Sequence, residues 1–264
     1  MKSIKIYAFG IITLLSVVLV ISCTKDFDSK TVLQKDFTNS TLAQVYVATV
    51  NATRNYVYVD GNPVTGALLS SGSIFPGSGT SFNVNSGVRN FVVRDTLTAT
   101  TQVPFSFAEN MQVSRNHTIF LYDTISTPKQ KTVTTDIVIP SDNSARLRFA
   151  NFPYSPVDIP MIDIYSARLK ANIFSNLSVT DVTNFLVVPS DITDTFYVRL
   201  SGTTVNLQNF VPPTPPATVG SFSEIRSIAT FTAKRSYTLV FRGGFRATAT
   251  TNPTVRTLSL FANY

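Results

Sequence analysis

The sequence predicts an all-β protein: two tandem antiparallel β-sandwich domains, immunoglobulin-like or related, that follow a signal peptide and a flexible tether. Short stretches of alternating apolar and polar residues, the pattern of half-buried strands, run through the chain after its N-terminal segment. The pattern of the first half then recurs in the second half. The 264 residues are 44% hydrophobic and only 14% charged, which excludes a disordered protein.

Residues 1–22 predict a secretory signal peptide. Two lysines near the start precede an apolar run over residues 6–21, which is shorter than the roughly 20 apolar residues of a membrane-spanning helix. Val20-Ile21-Ser22-Cys23 then resembles a bacterial lipobox, in which the leader is cut before the cysteine and the cysteine is acylated. Cys23 is the only cysteine of the chain, so we predict a lipid anchor on its sulfur. The alternative is an ordinary signal peptide, or a single-span anchor, that happens to contain a cysteine.

Residues 23–40 predict a flexible tether between the lipid and the body, because they are mostly polar. Two aspartates directly after the cysteine, within residues 24–28, resemble the short acidic export signals of lipoproteins that are carried to the cell surface. The alternative is a solvated tether whose charges have no specific role. We expect an outer-membrane lipoprotein, either periplasmic or surface-exposed, with the surface position preferred.

The first domain is predicted over residues 41–140. Its apolar runs are rich in β-branched and aromatic residues, which fit a pleated, half-buried surface. Asp60-Gly61-Asn62-Pro63 predicts a turn after the second run, since Gly accepts a positive φ and Pro cannot continue a central strand. The predicted strands cover residues 43–50, 55–59, 81–84, 88–94 and 117–122.

The second domain, residues 141–264, is predicted as a copy of the first, with the boundary near residues 140–144. Four motifs recur in the same order about 100 residues later, and a fifth recurs after an insertion at residues 205–221. The insertion is rich in proline and predicts an exposed, stiff loop. The matched motifs are Ala43–Val47 with Ala145–Phe149, Tyr58 with Tyr165, Phe82 with Phe185, Phe91–Arg94 with Phe196–Arg199, and His117 with Tyr237.

These motifs resemble the bacterial family called "domain of unknown function 4397", which is common in Gram-negative lipoproteins. Two tandem copies would cover nearly all of residues 41–264. The resemblance implies a secreted, lipid-anchored protein built of β-sandwiches, and it implies no catalytic residues. The segments that carry it are the hairpin strands Tyr56–Gly61 and Ile162–Tyr165, the third elements Phe82–Gly87 and Phe185–Pro189, and the closing strand Tyr237–Val240, with His117 in place of the tyrosine in the first copy.

The composition leaves little room for catalysis. One His, one Cys and no Trp exclude a disulfide scaffold, a Cys/His zinc site and chemistry that needs two histidines. His117 is the only base for a Ser-His-Asp arrangement, but it lies in an apolar strand where the second copy has Tyr237, so we expect a packing role. We predict a protein that is not an enzyme and has no metal and no cofactor. The acids weighed for glycoside hydrolysis or calcium binding, all beside turns, are Asp158, Asp163, Asp181, Asp191 and Asp194.

Exposed tyrosines are the candidate binding residues, because sugars dock on aromatic faces. The tyrosines selected are Tyr56, Tyr58, Tyr165 and Tyr197. The alternative is that these rings only flank strands, with their hydroxyl groups at the rim. The net charge of +7 is spread along the chain without a basic stripe, so we expect no nucleic-acid partner. The locally basic part from Arg226 to Arg256 could meet an anionic envelope polysaccharide, and a solvated face is the simpler interpretation.

The expected function is therefore a cell-envelope binding or interaction module without catalytic activity, held to the membrane by the lipid on Cys23. Its partner would be a cell-surface glycan or an envelope protein. The alternative is a structural or accessory subunit of a surface assembly, adhesin-like or fimbria-like, that uses strand-edge pairing.

Overall fold

The computed structural model describes residues 37–97, 99–135, 137, 139–209, 223–247 and 255–263. Cys23, nearly all of the predicted tether and most of the Pro-rich insertion lie outside these residues. Among the described residues, no helix has the length and apolar character needed to cross a membrane. Residues from Thr38 onward form one compact unit, which is the body discussed below.

The predicted fold class is confirmed, because the regular secondary structure of the described residues consists of strands apart from one 3-10 turn at Phe37–Asn39. The first repeat contains β1 (Ser40–Val47), β2 (Tyr56–Val59), β3 (Asn62–Pro63), β4 (Ile74–Phe75), β5 (Phe82–Asn85), β6 (Gly87–Arg94), β7 (Phe105–Met111), β8 (Asn116–Tyr122) and β9 (Lys129–Thr135). The second repeat contains β10 (Ser144–Tyr154), β11 (Ile162–Ser166), β12 (Ala171–Leu177), β13 (Leu186–Pro189), β14 (Thr193–Leu200), β15 (Arg226–Thr230), β16 (Ser236–Gly244) and β17 (Thr257–Ala262).

Each repeat has one inner and one outer sheet. The first inner sheet has the order β4-β1-β8-β9, with β5 also paired to β1, and the first outer sheet has the order β3-β2-β6-β7. The second inner sheet is β13-β10-β16-β17 and the second outer sheet is β12-β11-β14-β15. The predicted turn at Asp60-Gly61 joins β2 to β3, and both turn residues have positive φ, as a tight two-residue hairpin requires. Pro63 lies on the edge strand β3, where no ladder bond is lost.

One strand pair in each repeat departs from the antiparallel pairing that the sequence predicts. The opening strand β1 pairs with the closing strand β8 in parallel, and β10 pairs with β16 in the same way. The two strands of each pair are far apart in the sequence, so no short hairpin forces them to be antiparallel. The other ladders of the described residues are antiparallel.

The parallel ladders fix the correspondence between the repeats. Ala43 lies opposite His117, and Leu147 lies opposite Tyr237, so Ala43 of the first repeat corresponds to Leu147 of the second. The sequence match of Ala43 with Ala145 was shifted by two residues. A shift of two keeps every side chain on the same face of a strand, so alternation alone does not reveal it.

The inner sheets are buried on both faces. Their outward sides face the outer sheets across the two sandwich cores, which include Val45, Ile119 and Phe91 in the first repeat. Their other sides face each other across a third apolar cluster. This cluster contains Tyr46, Ala48 and Phe120 from the first repeat and Ala150, Phe152, Val240 and Phe261 from the second. The body is therefore a stack of four layers: outer sheet, inner sheet, inner sheet, outer sheet.

Aromatic rings from the two repeats pack against each other between the inner sheets. The ring centroids of Phe120 and Phe152 lie 4.7 Å apart, and those of Tyr46 and Phe261 lie 5.2 Å apart. Both contacts join the two repeats, and such pairs contribute about 0.5–1.5 kcal/mol each beyond the apolar area that they bury.

A buried arginine adds polar bonds to the same junction. Arg148, only 3% exposed, donates from Nε to Thr238 Oγ1 at 2.8 Å and from Nη2 to Thr118 Oγ1 of the other repeat at 3.1 Å. Burial lowers the pKa of its guanidinium to about 9. The Arg148 hydrogen bonds and the aromatic contacts together join the two sandwiches into one compact body.

Candidate functional site

The four selected tyrosines lie on two separate surfaces, one for each repeat. Tyr56 and Tyr58 alternate along β2 with Val57, whose side chain belongs to the first sandwich core, so both rings are on the outside of the first outer sheet. Tyr165 on β11 and Tyr197 on β14 are direct cross-strand neighbours on the outside of the second outer sheet. All four residues are half-buried.

An arginine covers one tyrosine on each surface. The guanidinium carbon of Arg94 lies 4.4 Å from the ring centroid of Tyr58, and that of Arg199 lies 3.4 Å from the ring centroid of Tyr165. Both distances are within the range of a cation–π contact. Sequence reasoning used Arg94 and Arg199 only as markers of the repeat and did not select them as site residues.

The two tyrosine–arginine pairs occupy the same place in their ladders. Tyr58 lies opposite Val92, and Arg94 follows two residues later on β6. Tyr165 lies opposite Tyr197, and Arg199 follows two residues later on β14. The pair therefore recurs as a diagonal contact on the outer face of each repeat, and its recurrence was the signal that could have revealed it from the sequence.

The second surface is further ordered by amide and carboxyl groups. Arg199 Nε donates to Asn206 Oδ1 at 2.7 Å, and Asn206 Nδ2 donates to Glu224 Oε1 at 3.0 Å. These bonds hold the stacked guanidinium in place over Tyr165.

Asp163 lies directly opposite Arg199 in the ladder, yet its carboxylate accepts hydrogen bonds from other neighbours. It is 3% exposed and accepts hydrogen bonds from Asn172 Nδ2 at 2.8 Å, from the Asn176 backbone N–H at 2.8 Å and from Ser201 Oγ at 2.6 Å. These donors lie on and beside the irregular β11–β12 ladder, so Asp163 has a structural role.

Asp181 and Asp194, two of the other acids weighed from the sequence, also accept hydrogen bonds from nearby turns. Asp181 accepts from the Ser178 backbone N–H at 2.8 Å. Asp194 accepts from Ser166 Oγ at 2.5 Å and from the Arg168 backbone N–H at 3.0 Å. Within the ranges that the structure describes, no group of three or more His, Cys, Asp or Glu residues could hold a metal ion.

A small cavity lies at the open edge of the second sandwich, between β12 and β13. It holds about 30 Å³ of accessible space, close to the share of one water molecule in the liquid. It is lined mainly by apolar side chains, among them Ile173, Leu186 and Phe231. None of the four tyrosines lines it, and it is too small for a sugar ring. The outer sheet faces are the better candidate site.

His117 has the structural role that its correspondence with Tyr237 suggests. Its Nε2 accepts a hydrogen bond from the Gln112 backbone N–H at 3.2 Å, and the hydroxyl oxygen of Tyr237 accepts one from the Thr232 backbone N–H at 3.1 Å. In both repeats the acceptor lies five residues after the donor, so both side chains fasten the turn that precedes the closing strand.

We expect the stability of the body to fall as the pH drops below about 6.5, the ordinary pKa of a histidine side chain. Burial lowers the pKa of His117, so the folded state binds fewer protons than the unfolded state in this range. The stabilisation that neutral His117 gives the folded state is complete above the ordinary histidine pKa. It is lost as the pH falls from that value through the lower pKa that His117 has in the folded state. Urea midpoints at pH 7.5 and pH 5.5 measure the effect.

His117→Tyr is the matched variant for this measurement, because tyrosine fastens the same turn in the second repeat. The variant should keep the fold, and its urea midpoint should not decrease between pH 7.5 and pH 5.5. The chain has no other histidine. An equal decrease in the variant would show that His117 is not its source.

The sequence matches no protein-family model, and no curated protein is detectably similar to it.

Proposed function

We propose that the protein is a lipid-anchored binding module of the bacterial cell envelope that recognises a glycan on its two outer sheets. The observation that carries this proposal is the recurrence of a tyrosine–arginine pair at the same outward ladder position in both repeats. The half-buried rings of these pairs present aromatic surface on the outside of the body.

The anchor in this proposal is Cys23, which would carry acyl chains at the start of the mature protein. One acyl chain binds a membrane only marginally, and several make the attachment stable. The polar residues 23–40 would hold the body away from the lipid surface, with the outer membrane as the expected location.

The test is a glycan array probed with the full chain in detergent micelles. Tyr56→Ala with Tyr58→Ala removes the aromatic surface of the first face, and Tyr165→Ala with Tyr197→Ala removes that of the second. Each double variant should lose binding at its own face by about tenfold or more, as expected for the loss of two ring contacts of about 0.5–1.5 kcal/mol each, and the variant with all four substitutions should lose binding to the array. Tyr154→Ala, which truncates a half-buried tyrosine at the end of the second inner sheet, is the control and should bind normally. Unchanged binding in the variant with all four substitutions would contradict the proposal.

Strand-edge assembly is the second candidate function, and two edge strands favour it. β7 and β12 each have seven residues, lie at sheet edges within the described structure and contain neither lysine nor proline, which commonly protect such edges. Sedimentation of the full chain over a range of concentrations tests this candidate. Assembly would give growing polymers, whereas a constant sedimentation coefficient would reject it.

A further inference from the structure

The stacked guanidinium decides what the tyrosine faces can bind. With its carbon 3.4 Å from the ring centroid, Arg199 covers one face of Tyr165, and Arg94 covers Tyr58 in the same way at 4.4 Å. A neutral sugar that docks its C–H groups on an aromatic ring needs that face. The arginine instead presents a positive charge and outward N–H donors in its place.

The carboxylates that the structure describes all lie beyond ion-pair distance of both guanidinium groups. In the described part of the chain, Arg94 and Arg199 have no ion-pair partner, whereas Arg89 pairs with Asp60 at 3.1 Å and Arg168 with Asp194 at 3.7 Å. Asp163, the acid opposite Arg199, already accepts three hydrogen bonds. Together with Arg226, which is exposed and lies directly opposite Tyr197, the stacked arginines provide positive charge for a ligand on the outer faces.

The geometry of a stacked arginine suits a carboxylate. The planar guanidinium offers two parallel N–H donors that match the two oxygens of a carboxylate, and stacking on the ring fixes the orientation of that fork. At Arg199, Nε is already bonded to Asn206, and the described residues give no partner to the Nη groups.

We infer that each outer sheet binds a carboxylate group of an acidic polysaccharide, with Arg94 and Arg199 as the binding groups and Tyr58 and Tyr165 as their supports. This inference rests on the proposed function and names the ligand class of the same site. The net charge of the chain, +7 before the leader with its two lysines is removed, stays positive in the mature protein and favours the approach of such a polymer.

The layer order adds a consequence for the polymer. The two outer sheets are the two ends of the four-layer stack, and the inner sheets between them are joined by the Phe120–Phe152 contact and the bond from Arg148 to Thr118. The two sites therefore face away from each other and are held there. One molecule of the protein bridges two polysaccharide chains.

The experiment uses the full chain in detergent micelles with three polymers: polygalacturonate, which carries carboxylates, dextran sulfate and neutral dextran. Calorimetry should show polygalacturonate bound most tightly and neutral dextran not bound. Light scattering should rise when protein and polygalacturonate are mixed, because the chains become cross-linked.

Three single variants and one matched control locate the sites. Arg94→Gln and Arg199→Gln should each abolish the rise in scattering and weaken polygalacturonate binding at the altered face by about tenfold or more, the worth of a charge-assisted hydrogen bond. Arg199→Lys should bind polygalacturonate with an intermediate affinity, since lysine keeps the positive charge but lacks the two parallel N–H donors of the guanidinium. Arg235→Gln removes the same charge from an exposed residue between β15 and β16 and should behave as the wild type.

Each other outcome contradicts a defined part of the inference. If neutral dextran bound more tightly than polygalacturonate and Arg199→Gln left its affinity unchanged, the inference of an acidic ligand would be wrong. The proposed glycan binding would still stand. Tighter binding of dextran sulfate would overturn the carboxylate. An equal loss of polygalacturonate affinity in Arg235→Gln would mean that the overall charge, and not two specific sites, attracts the polymer. Binding of polygalacturonate without a rise in light scattering would contradict the bridging of two chains. No binding to any glycan, here or on the array, would reject the proposed function itself.

Discussion

Phe152→Ala is expected to lower the free energy of unfolding by about 3–5 kcal/mol, as deletion of a fully buried phenylalanine does. Phe152 is 1% exposed and lies between the sandwiches, with its ring against Phe120 of the first repeat and 5.2 Å from Tyr122. The cavity would open at the junction rather than inside either sandwich core. The unfolding curve should therefore also broaden or split into two steps as the repeats lose their coupling.

Urea denaturation followed by circular dichroism measures this effect, since the chain has no tryptophan to report by fluorescence. Ile228→Ala is the matched control, because it removes apolar atoms from a residue that is 61% exposed, and it should change stability by less than about 0.5 kcal/mol. A midpoint for Phe152→Ala equal to that of the wild type would contradict the four-layer arrangement.

Cys23→Ser is expected to abolish both the acylation of the chain and the cleavage of its leader. The proposed anchor is attached through the sulfur, and a serine hydroxyl does not replace it in the lipobox, so neither acylation nor cleavage before residue 23 should follow. In a Gram-negative host the variant should keep residues 1–22, whose apolar run still associates with membranes, so the mass of the protein rather than its fraction reports the change. Intact-mass measurement should show the acyl groups in the wild type alone.

Thr24→Ala tests whether this effect is specific to the cysteine, because it changes the next residue without touching the sulfur. It should remain in the membrane with the mass of the acylated protein. Acyl groups on Cys23→Ser, or a leader cut before residue 23 in that variant, would contradict the proposed anchor.

The strands could be predicted from the sequence where one face is buried and the other is exposed to solvent. The predicted runs at 55–59, 81–84, 88–94 and 117–122 each fall within one residue of an observed strand. β9 was missed because Lys129–Thr135 is a polar edge strand, which resembles a loop in the sequence. The burial of β1 on both faces was not foreseen, since it depends on the second repeat packing against the first.

The candidate site was predicted only in part. The selected tyrosines do lie on outward faces, because alternation along β2, β11 and β14 determines which side each residue takes. Their division between two surfaces depends on the stack of sheets, which the sequence does not contain. The arginines were missed because a diagonal contact requires the register of two strands that are distant in sequence.

The most direct test of the binding account is an NMR titration of the full chain in micelles with a short galacturonate oligomer, observing the side-chain Nε–H signals of the arginines. The account predicts saturable shifts for Arg94 and Arg199 at both outer faces, while the signal of Arg148, buried between the inner sheets, stays in place. Shifts confined to other arginines, or none at saturating oligomer, would contradict it.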